Sequence, residues 1–447
     1  MKKMKHLVIV ISLLLLITTL FYGCSKKSDE LQVGNESSQE NDVTNSNEDT
    51  DNTDPIESED SNDTTDTDSS ESGSENLEAT NTDVTETVNN EISAEELAKI
   101  EADIKEMRDM TSMDLVKEIK IGWNLGNTFD ATGGGNTNNA ETSWGNPKTT
   151  KEMIDAVKAA GFNTIRIPVS WGNHLGDAPE YKINPDWLNR VQEVVDYAIN
   201  NGMYTIINLH HEEWHYPSYD NLDTAKTELT AIWSQIADHF KDYDEHLIFE
   251  GLNEPRMKGT EFEWNGGNEE GRDVVNQFNA AFVETIRNSA GNNPLRHLMI
   301  PNYAASSDPK VWKDFVKPED DKIIVSVHAY TPYNFALNGG GTSTWKVDNA
   351  SDTRDIDYLM QAIYDNYVSK GTPVILGEFG ARNKDNLADR VAWAEYYIKS
   401  AKAKGIPCIW WDNGAFVGNG ENFGLLNRKA LTWQFPEIVD ALMKGLE

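Results

Sequence analysis

The chain has 447 residues, and its 39 Lys and Arg are outnumbered by 74 Asp and Glu, for a formal charge of −35. So acidic a protein excludes nucleic acid and acidic polymers as partners, because their phosphates demand a basic surface; a neutral substrate remains compatible. With only Cys24 and Cys408 there is no disulfide framework, so an exported chain of this kind must rely on the size of its core.

Residues 1–23 read as an export signal. Lys2, Lys3 and Lys5 precede an apolar run over 7–22, short for a membrane span of about 20 residues. The run ends at Gly23-Cys24. A small residue before a lone Cys resembles a bacterial lipoprotein signal, which makes Cys24 the expected lipidation site. Phe21 and Tyr22 are bulkier than that pattern prefers, so an ordinary cleaved signal and an uncleaved anchor stay open. The protein is expected to be exported, either held on the outer face of the cell membrane through Cys24 or secreted.

Residues 24–92 are expected to form a disordered acidic tether. Positions 28–90 carry twenty Asp and Glu, no Lys or Arg and no aromatic residue. Such a segment has too little apolar surface to offset the entropy of ordering, and its charges repel. Over 92–108 a helical pattern begins, with Ser93 and Glu96 spaced as a capping box. The globular domain is set at 93–447.

Within it, short apolar or β-branched runs recur at 120–125, 163–168, 203–209, 246–251, 297–302, 322–328, 373–378 and 406–411. Segments with helical period separate them. Over 149–160, Thr149 and Glu152 are spaced as a capping box, Met153, Ile154 and Val157 make an apolar stripe, and Gly161 stops it. The next helix takes Asn184 as cap and Pro185 at its first turn, buries Leu188, Val191 and Val195, and stops at Gly202. Eight strands alternating with helices predict an α/β fold, a closed (β/α)₈ barrel. The rival, an open doubly wound sheet, lacks a Gly-rich phosphate fingerprint after its first strand.

Barrel active sites gather at the C-terminal strand ends, where the βα loops open. Those ends carry Trp123-Asn124, Arg166, His210-His211, Asn253-Glu254, His328-Ala329-Tyr330, Gly377-Glu378 and Trp410-Trp411. One Glu at a strand end can be a helix cap; seven polar or aromatic ends on one rim are hard to explain by packing. Two facing carboxylates suit glycoside hydrolysis, one donating a proton to the leaving oxygen while the other acts from the opposite face of the sugar. They must differ in protonation, hence in environment. Arg166 and Tyr330 are suited to keep Glu378 ionised, Asn253 to bond the sugar 2-hydroxyl, His328 to order protons, and Trp411 to offer a flat face to a pyranose. No metal and no organic cofactor is needed.

The chain resembles glycoside hydrolase family 5. The stretches Gly122-Trp123-Asn124-Leu125-Gly126-Asn127, Thr164-Ile165-Arg166-Ile167-Pro168-Val169, Asn208-Leu209-His210-His211-Glu212 and Phe249-Glu250-Gly251-Leu252-Asn253-Glu254-Pro255 carry the likeness. His328-Ala329-Tyr330, Gly377-Glu378-Phe379-Gly380 and Trp410-Trp411-Asp412 complete it. The resemblance implies Glu254 as general acid/base and Glu378 as nucleophile. It implies Asn124, Arg166, His210, His211, Asn253, His328, Tyr330 and Trp411 as substrate-binding positions. The segments Asn127-Thr128-Phe129-Asp130 and Glu141-Thr142-Ser143-Trp144-Gly145-Asn146-Pro147 are most similar to endo-β-1,4-glucanases that also accept xyloglucan and mixed-linkage β-glucan. The implied partner is a neutral β-glucan polysaccharide, met by a monomer. Trp144, Trp214, Trp264 and Trp345 are candidate sugar platforms, and the Gly-rich loop 338–344 a candidate mobile segment.

Three other readings stand beside this one: a β-mannanase of the same family, a catalytically silent glycan-binding lipoprotein, and a zinc protease. The last rests on His211-Glu212-Glu213-Trp214-His215, an H-E-x-x-H pattern whose chemistry needs both His on one helical face. The strand-like run before it and Pro217 after it argue against that helix.

Overall fold

A computed structural model describes residues 107–418 and 420–447. The expected signal, Cys24, the tether and nearly all of the segment 92–108 lie outside the described residues. Residues 107–111 precede the first helix, Ser112–Glu118, whose N-terminus is capped by Thr111.

Eight strands form a closed, all-parallel barrel in sequence order: β1 (Ile121–Leu125), β2 (Thr164–Ile167), β3 (Tyr204–Asn208), β4 (Leu247–Glu250), β5 (Leu298–Pro301), β6 (Ile323–His328), β7 (Val374–Phe379) and β8 (Cys408–Asp412). Each lies within or within one residue of its expected run. The rival open sheet is excluded by closure of β1 on β8, in register from Ile121 on Cys408 to Leu125 on Asp412.

Alternate residues along each strand face opposite ways, and the two faces pack differently. Ile121, Trp123, Ile165, Ile167, Ile207, Phe249, Leu298, Val325, Leu376 and Trp410 join the helices in the larger core. Facing inward, Ile206, Ile248, Met299, Ile324, Ile375 and Ile409 make a separate plug, closed below by Leu115 and Val116 of the helix Ser112–Glu118. Above that plug the barrel interior turns polar.

The outer layer includes the helices Lys151–Ala159, Pro185–Ile199, Leu222–His239, Glu269–Arg287, Ala350–Asn366, Leu387–Lys402 and Pro436–Lys444. After β5 the chain makes only a 3₁₀ turn at Tyr303–Ala305 and the one-turn helix Pro309–Trp312, so the alternation is less regular than expected. The capping box at 149–152 is displaced by one residue. Thr150 is the cap, its hydroxyl accepting from Met153 N, whereas Thr149 N donates to Glu141 Oε1. Asn184 caps its helix as expected, through Asp186 N, and Trp187, Val191, Val194 and Val195 are buried, with Leu188 at the margin.

One irregularity positions the site. Leu376 pairs with Cys408 and Phe379 with Trp410, so β7 spends three steps where β8 spends two. On the other side Val327 pairs with Leu376 and His328 with Glu378. This is a β-bulge at Gly377-Glu378, an extra residue that re-aims the side chains after it. Strict alternation would send Glu378 out toward the helices. The bulge turns it inward and returns Phe379 outward, where its ring meets Tyr397 at 4.9 Å. Gly377 suits this close approach, since a Cβ there would lie 3.0 Å from His328 Nε2 and 3.1 Å from Ser326 Oγ, and both side chains would have to yield by a few tenths of an ångström.

Candidate active site

The polar layer above the plug is organised by Arg166, which is fully buried. Its Nε donates to Glu250 Oε2 (2.7 Å), Nη1 to Asn124 Oδ1 (3.0 Å) and Glu378 Oε1 (2.9 Å), and Nη2 to Asn253 Oδ1 (2.7 Å). Burial opposes the guanidinium charge, but Glu250 and then Glu378 more than offset it, so Arg166 stays protonated. Glu250 also accepts from Asn208 Nδ2 at 3.0 Å and Ser326 Oγ at 2.6 Å. A buried ion pair is sustained only when its remaining polar groups are satisfied, and Glu250 meets that condition.

At the rim, Glu378 accepts from Arg166 on Oε1 and from the Tyr330 hydroxyl on Oε2 (2.9 Å). Glu254 Oε1 lies 2.7 Å from His328 Nδ1, and the same nitrogen is 3.7 Å from Glu378 Oε2. One oxygen of each carboxylate and a His328 nitrogen all fall within 4.8 Å of one another. His210 stacks on Trp411 with centroids 5.8 Å apart and planes 2° apart. His211 stands edge-on to His210 at 4.5 Å and reaches Trp144 at 5.6 Å. The structure thus brings together Arg166, His210, His211, Asn253, Glu254, His328, Tyr330, Glu378 and Trp411.

Their proton affinities divide the group. Burial raises Glu378 above the ordinary carboxylate range, against the His328 and Arg166 charges. Burial also raises Glu254, which is slightly more exposed, yet the His328 hydrogen bond and charge, then Arg256 and His211, bring it below that range. Burial works against a charged His328, but Glu378 and Glu254 raise it above its usual value. These three groups titrate together, so the proton that Glu254 would donate is shared across the 2.7 Å contact between its Oε1 and His328 Nδ1. Burial, with Glu378 nearby, lifts Tyr330 well above a free phenol, which keeps it a donor. Burial, then the charges of His211 and Arg166, keep His210 neutral.

Four sequence expectations need correction. Asn124 is not at the surface of the cleft: it is fully buried, and its Nδ2 donates to the carbonyls of Gly377, Ile409 and Trp410. It ties β1 to β7 and β8 and steadies Arg166, so contact with sugar is left to others. Arg166, also fully buried, likewise acts on the side chains that face the cleft. Trp345 is no platform, being 1 % exposed with Nε1 donating to Asp352 O. Trp214 is tied down by Nε1 to Glu212 Oε2 at 3.0 Å. Trp144, at 42 % exposure beside His211, keeps the character of a platform. Glu250 was missed, because a charged residue inside an apolar run reads as a strand residue; the run's unusual Glu was the available signal.

The H-E-x-x-H segment forms no helix. Glu212 accepts from Trp171 N at 2.6 Å and Gly172 N at 2.9 Å, and burial raises it to about 7 despite those bonds. His215 is buried and pulled down to about 3. Among the described residues, donor atoms cluster at Asp130, His210 and His211 and at Glu254, His328 and Glu378, and neither cluster includes His215. Asp130 already receives Thr128 N (2.6 Å) and Asn127 N (3.0 Å).

Residues 126–417 match the family described as Cellulase (glycosyl hydrolase family 5). Endoglucanase B of Neocallimastix patriciarum is 53% identical over 349 residues, which cover 76% of this chain and 73% of that protein. A broad-specificity endoglucanase from Ruminococcus champanellensis, solved with bound cellotriose, is 54% identical with a TM-score of 0.74, covering 76% of this chain and all of the other. A xyloglucan-specific endo-β-1,4-glucanase from a metagenomic library, solved with cellotriose, is 50% identical with a TM-score of 0.72, over 74% of this chain and 97% of the other.

Proposed function

This chain belongs to glycoside hydrolase family 5, and from that premise we propose that it is a retaining endo-β-1,4-glucanase acting on β-glucan. The observation that carries the reading is the separation of the two carboxylates. An oxygen of Glu254 and one of Glu378 lie within 4.8 Å, a close approach that favours direct attack over the wider arrangement of about 6.5–9.5 Å that admits a water between the carboxyl groups.

In this reading Glu378 attacks the anomeric carbon, aimed by Arg166 and Tyr330, while Glu254 protonates the leaving oxygen. A covalent glycosyl–Glu378 intermediate forms. Glu254, now ionised, takes a proton from the incoming water, which releases product with its configuration retained. His328 shares the proton of Glu254 across their 2.7 Å contact, while the incoming water restores the one that was donated. Asn253 is held through Oδ1 by Arg166, which turns its NH₂ toward the cleft for the sugar 2-hydroxyl. Trp411, His210 and Trp144 supply flat faces.

The relatives' described activities on cellulose-type, xyloglucan and mixed-linkage chains support the substrate class; the silent binder and the mannanase are the readings to defeat. Initial rates on carboxymethylcellulose, xyloglucan, mixed-linkage glucan, xylan and mannan should favour the first three, with retained anomers in early product by NMR. Early release of the α-anomer from a β-glucan, or preference for mannan, would overturn the proposal. Export and lipid attachment at Cys24 belong to the same proposal, and the sequence of 1–27 supports them; mature protein found only in the medium would count against the anchor.

A further inference from the structure

The side of Glu254 away from His328 faces a cation that the mechanism has not used. Arg256 follows β4 and is only 6 % exposed. Its Nη1 lies 3.6 Å from Glu254 Oε2 and donates to the Glu254 carbonyl at 3.1 Å. Its Nε donates to Glu263 Oε1 at 3.2 Å, and its Cζ sits 4.1 Å from the centroid of the Trp264 ring. Glu263 is fixed in turn, because its Oε2 accepts from Gly259 N at 2.8 Å. The loop itself is clamped by Tyr303, whose hydroxyl accepts from Met257 N and donates to Phe262 O, each at 2.8 Å.

We propose that Arg256 is a positioning residue that sets the acid strength of Glu254, with Glu263 and Trp264 holding its guanidinium at the required distance and partly balancing its charge. The inference rests on Glu254 being the acid/base. Five charged or titratable groups bear on Glu254: His328 from β6, Tyr330 just after it, Glu378 from β7, His211 from the loop after β3, and Arg256 from its own loop. His328 holds the proton in place on one oxygen. A fixed cation on the other oxygen favours the ionised form, and so eases departure of that proton toward a glycosidic oxygen. The lowered affinity of buried Glu254 agrees with this. A cation over the face of an indole is also stabilised by the ring's negative face, so Trp264 serves the proton donor rather than only the sugar.

The pH profile of kcat/KM on a soluble β-glucan tests it, because its basic limb reports the acid that must be protonated. Arg256→Met should move that limb upward by about 1 unit. Arg256→Lys, which keeps a charge, should stay close to the parent. Glu263→Gln leaves Arg256 less balanced, so the limb should move downward; in the Arg256→Met background the same change should add little. Equal shifts in the Met and Lys variants, or an upward shift in Glu263→Gln, would overturn the inference. If Arg256→Met folds poorly, the sign of the Glu263→Gln shift decides alone. Glu254→Gln separates the two levels: polysaccharide turnover surviving that change removes the acid/base assignment itself, whereas its loss combined with unmoved limbs removes only the role of Arg256.

Discussion

Glu378 and Glu254 are one residue type on facing sides of a cleft, held by different kinds of scaffold. Glu378 is gripped from inside the barrel by Arg166 on β2 and by Tyr330, both fixed in protonation. Glu254 is touched by His328, which titrates, and by Arg256, which sits on a loop. The contrast teaches how two identical carboxyl groups take opposite roles. The attacking one accepts from two donors that keep their protons, Arg166 on β2 and Tyr330 just after β6, in addition to the titrating His328 that it shares with its neighbour. The proton-transferring one needs an environment in which a proton can come and go, and neighbours of adjustable charge supply that.

The largest expected effect breaks the contrast directly. Glu378→Gln should lower kcat about 10⁴-fold or more on every substrate. Glu254→Gln should cost as much on polysaccharide but far less on aryl glucosides with good leaving groups, which need less protonation. Parallel kinetics on both substrate types check it, and equal losses would erase the division of roles.

Next comes the scaffold under Glu378. Arg166→Met strands Glu250 in the barrel interior and should destabilise the fold by about 3–5 kcal/mol, read by denaturant unfolding. Adding Glu250→Gln should recover part of that loss. An unchanged unfolding midpoint would show that the polar layer does not depend on its arginine.

Tyr330→Phe removes one of two donors to Glu378 while leaving the fold intact. Because a hydrogen bond to a charged group contributes about 1.5–3 kcal/mol, kcat should fall about 10- to 100-fold with KM little changed. Steady-state kinetics decide whether the hydroxyl aids the reacting carboxylate or only binding.

The finest test concerns pH. The acidic limb of kcat/KM reports protonation of Glu378, and the basic limb loss of the proton shared by Glu254 and His328. His328→Gln removes a charge that holds Glu378 down, so the acidic limb should rise. It also removes a base whose proton affinity is raised above that of a free imidazole, so the basic limb should fall. The bell should narrow from both sides; widening on either side would place the shared proton elsewhere.

Much of this architecture was legible because a parallel barrel has a strong period. Apolar runs mark seven strands to within a residue at each end and β8 to within two, and their polar ends mark the rim. What stayed hidden depended on contacts between distant segments. Asn124 matches a substrate contact in sequence, because its neighbours along the chain do not reveal that three carbonyls from β7 and β8 converge on its amide. Glu250 passed as a strand residue because its arginine partner lies 84 positions earlier. Trp345 looked like a platform because loop tryptophans expose or bury themselves through tertiary packing. At the helix 151–159 two adjacent threonines offered two caps, and the competing carboxylate of Glu141 took Thr149.

The bulge in β7 has one more implication. Along a regular strand, facing is a matter of parity, odd residues one way and even residues the other. The inward aim of Glu378 exists because one extra residue breaks that parity between Leu376 and Phe379. Straightening the bulge with every residue kept would leave all the side chains nearby unchanged and still exchange the two faces, pressing the carboxylate toward Trp393 and Tyr397 and the phenyl ring into the cleft. The chemistry of this strand is therefore written as much in its arithmetic as in its alphabet, and a frame of one residue separates a nucleophile from a misplaced core residue.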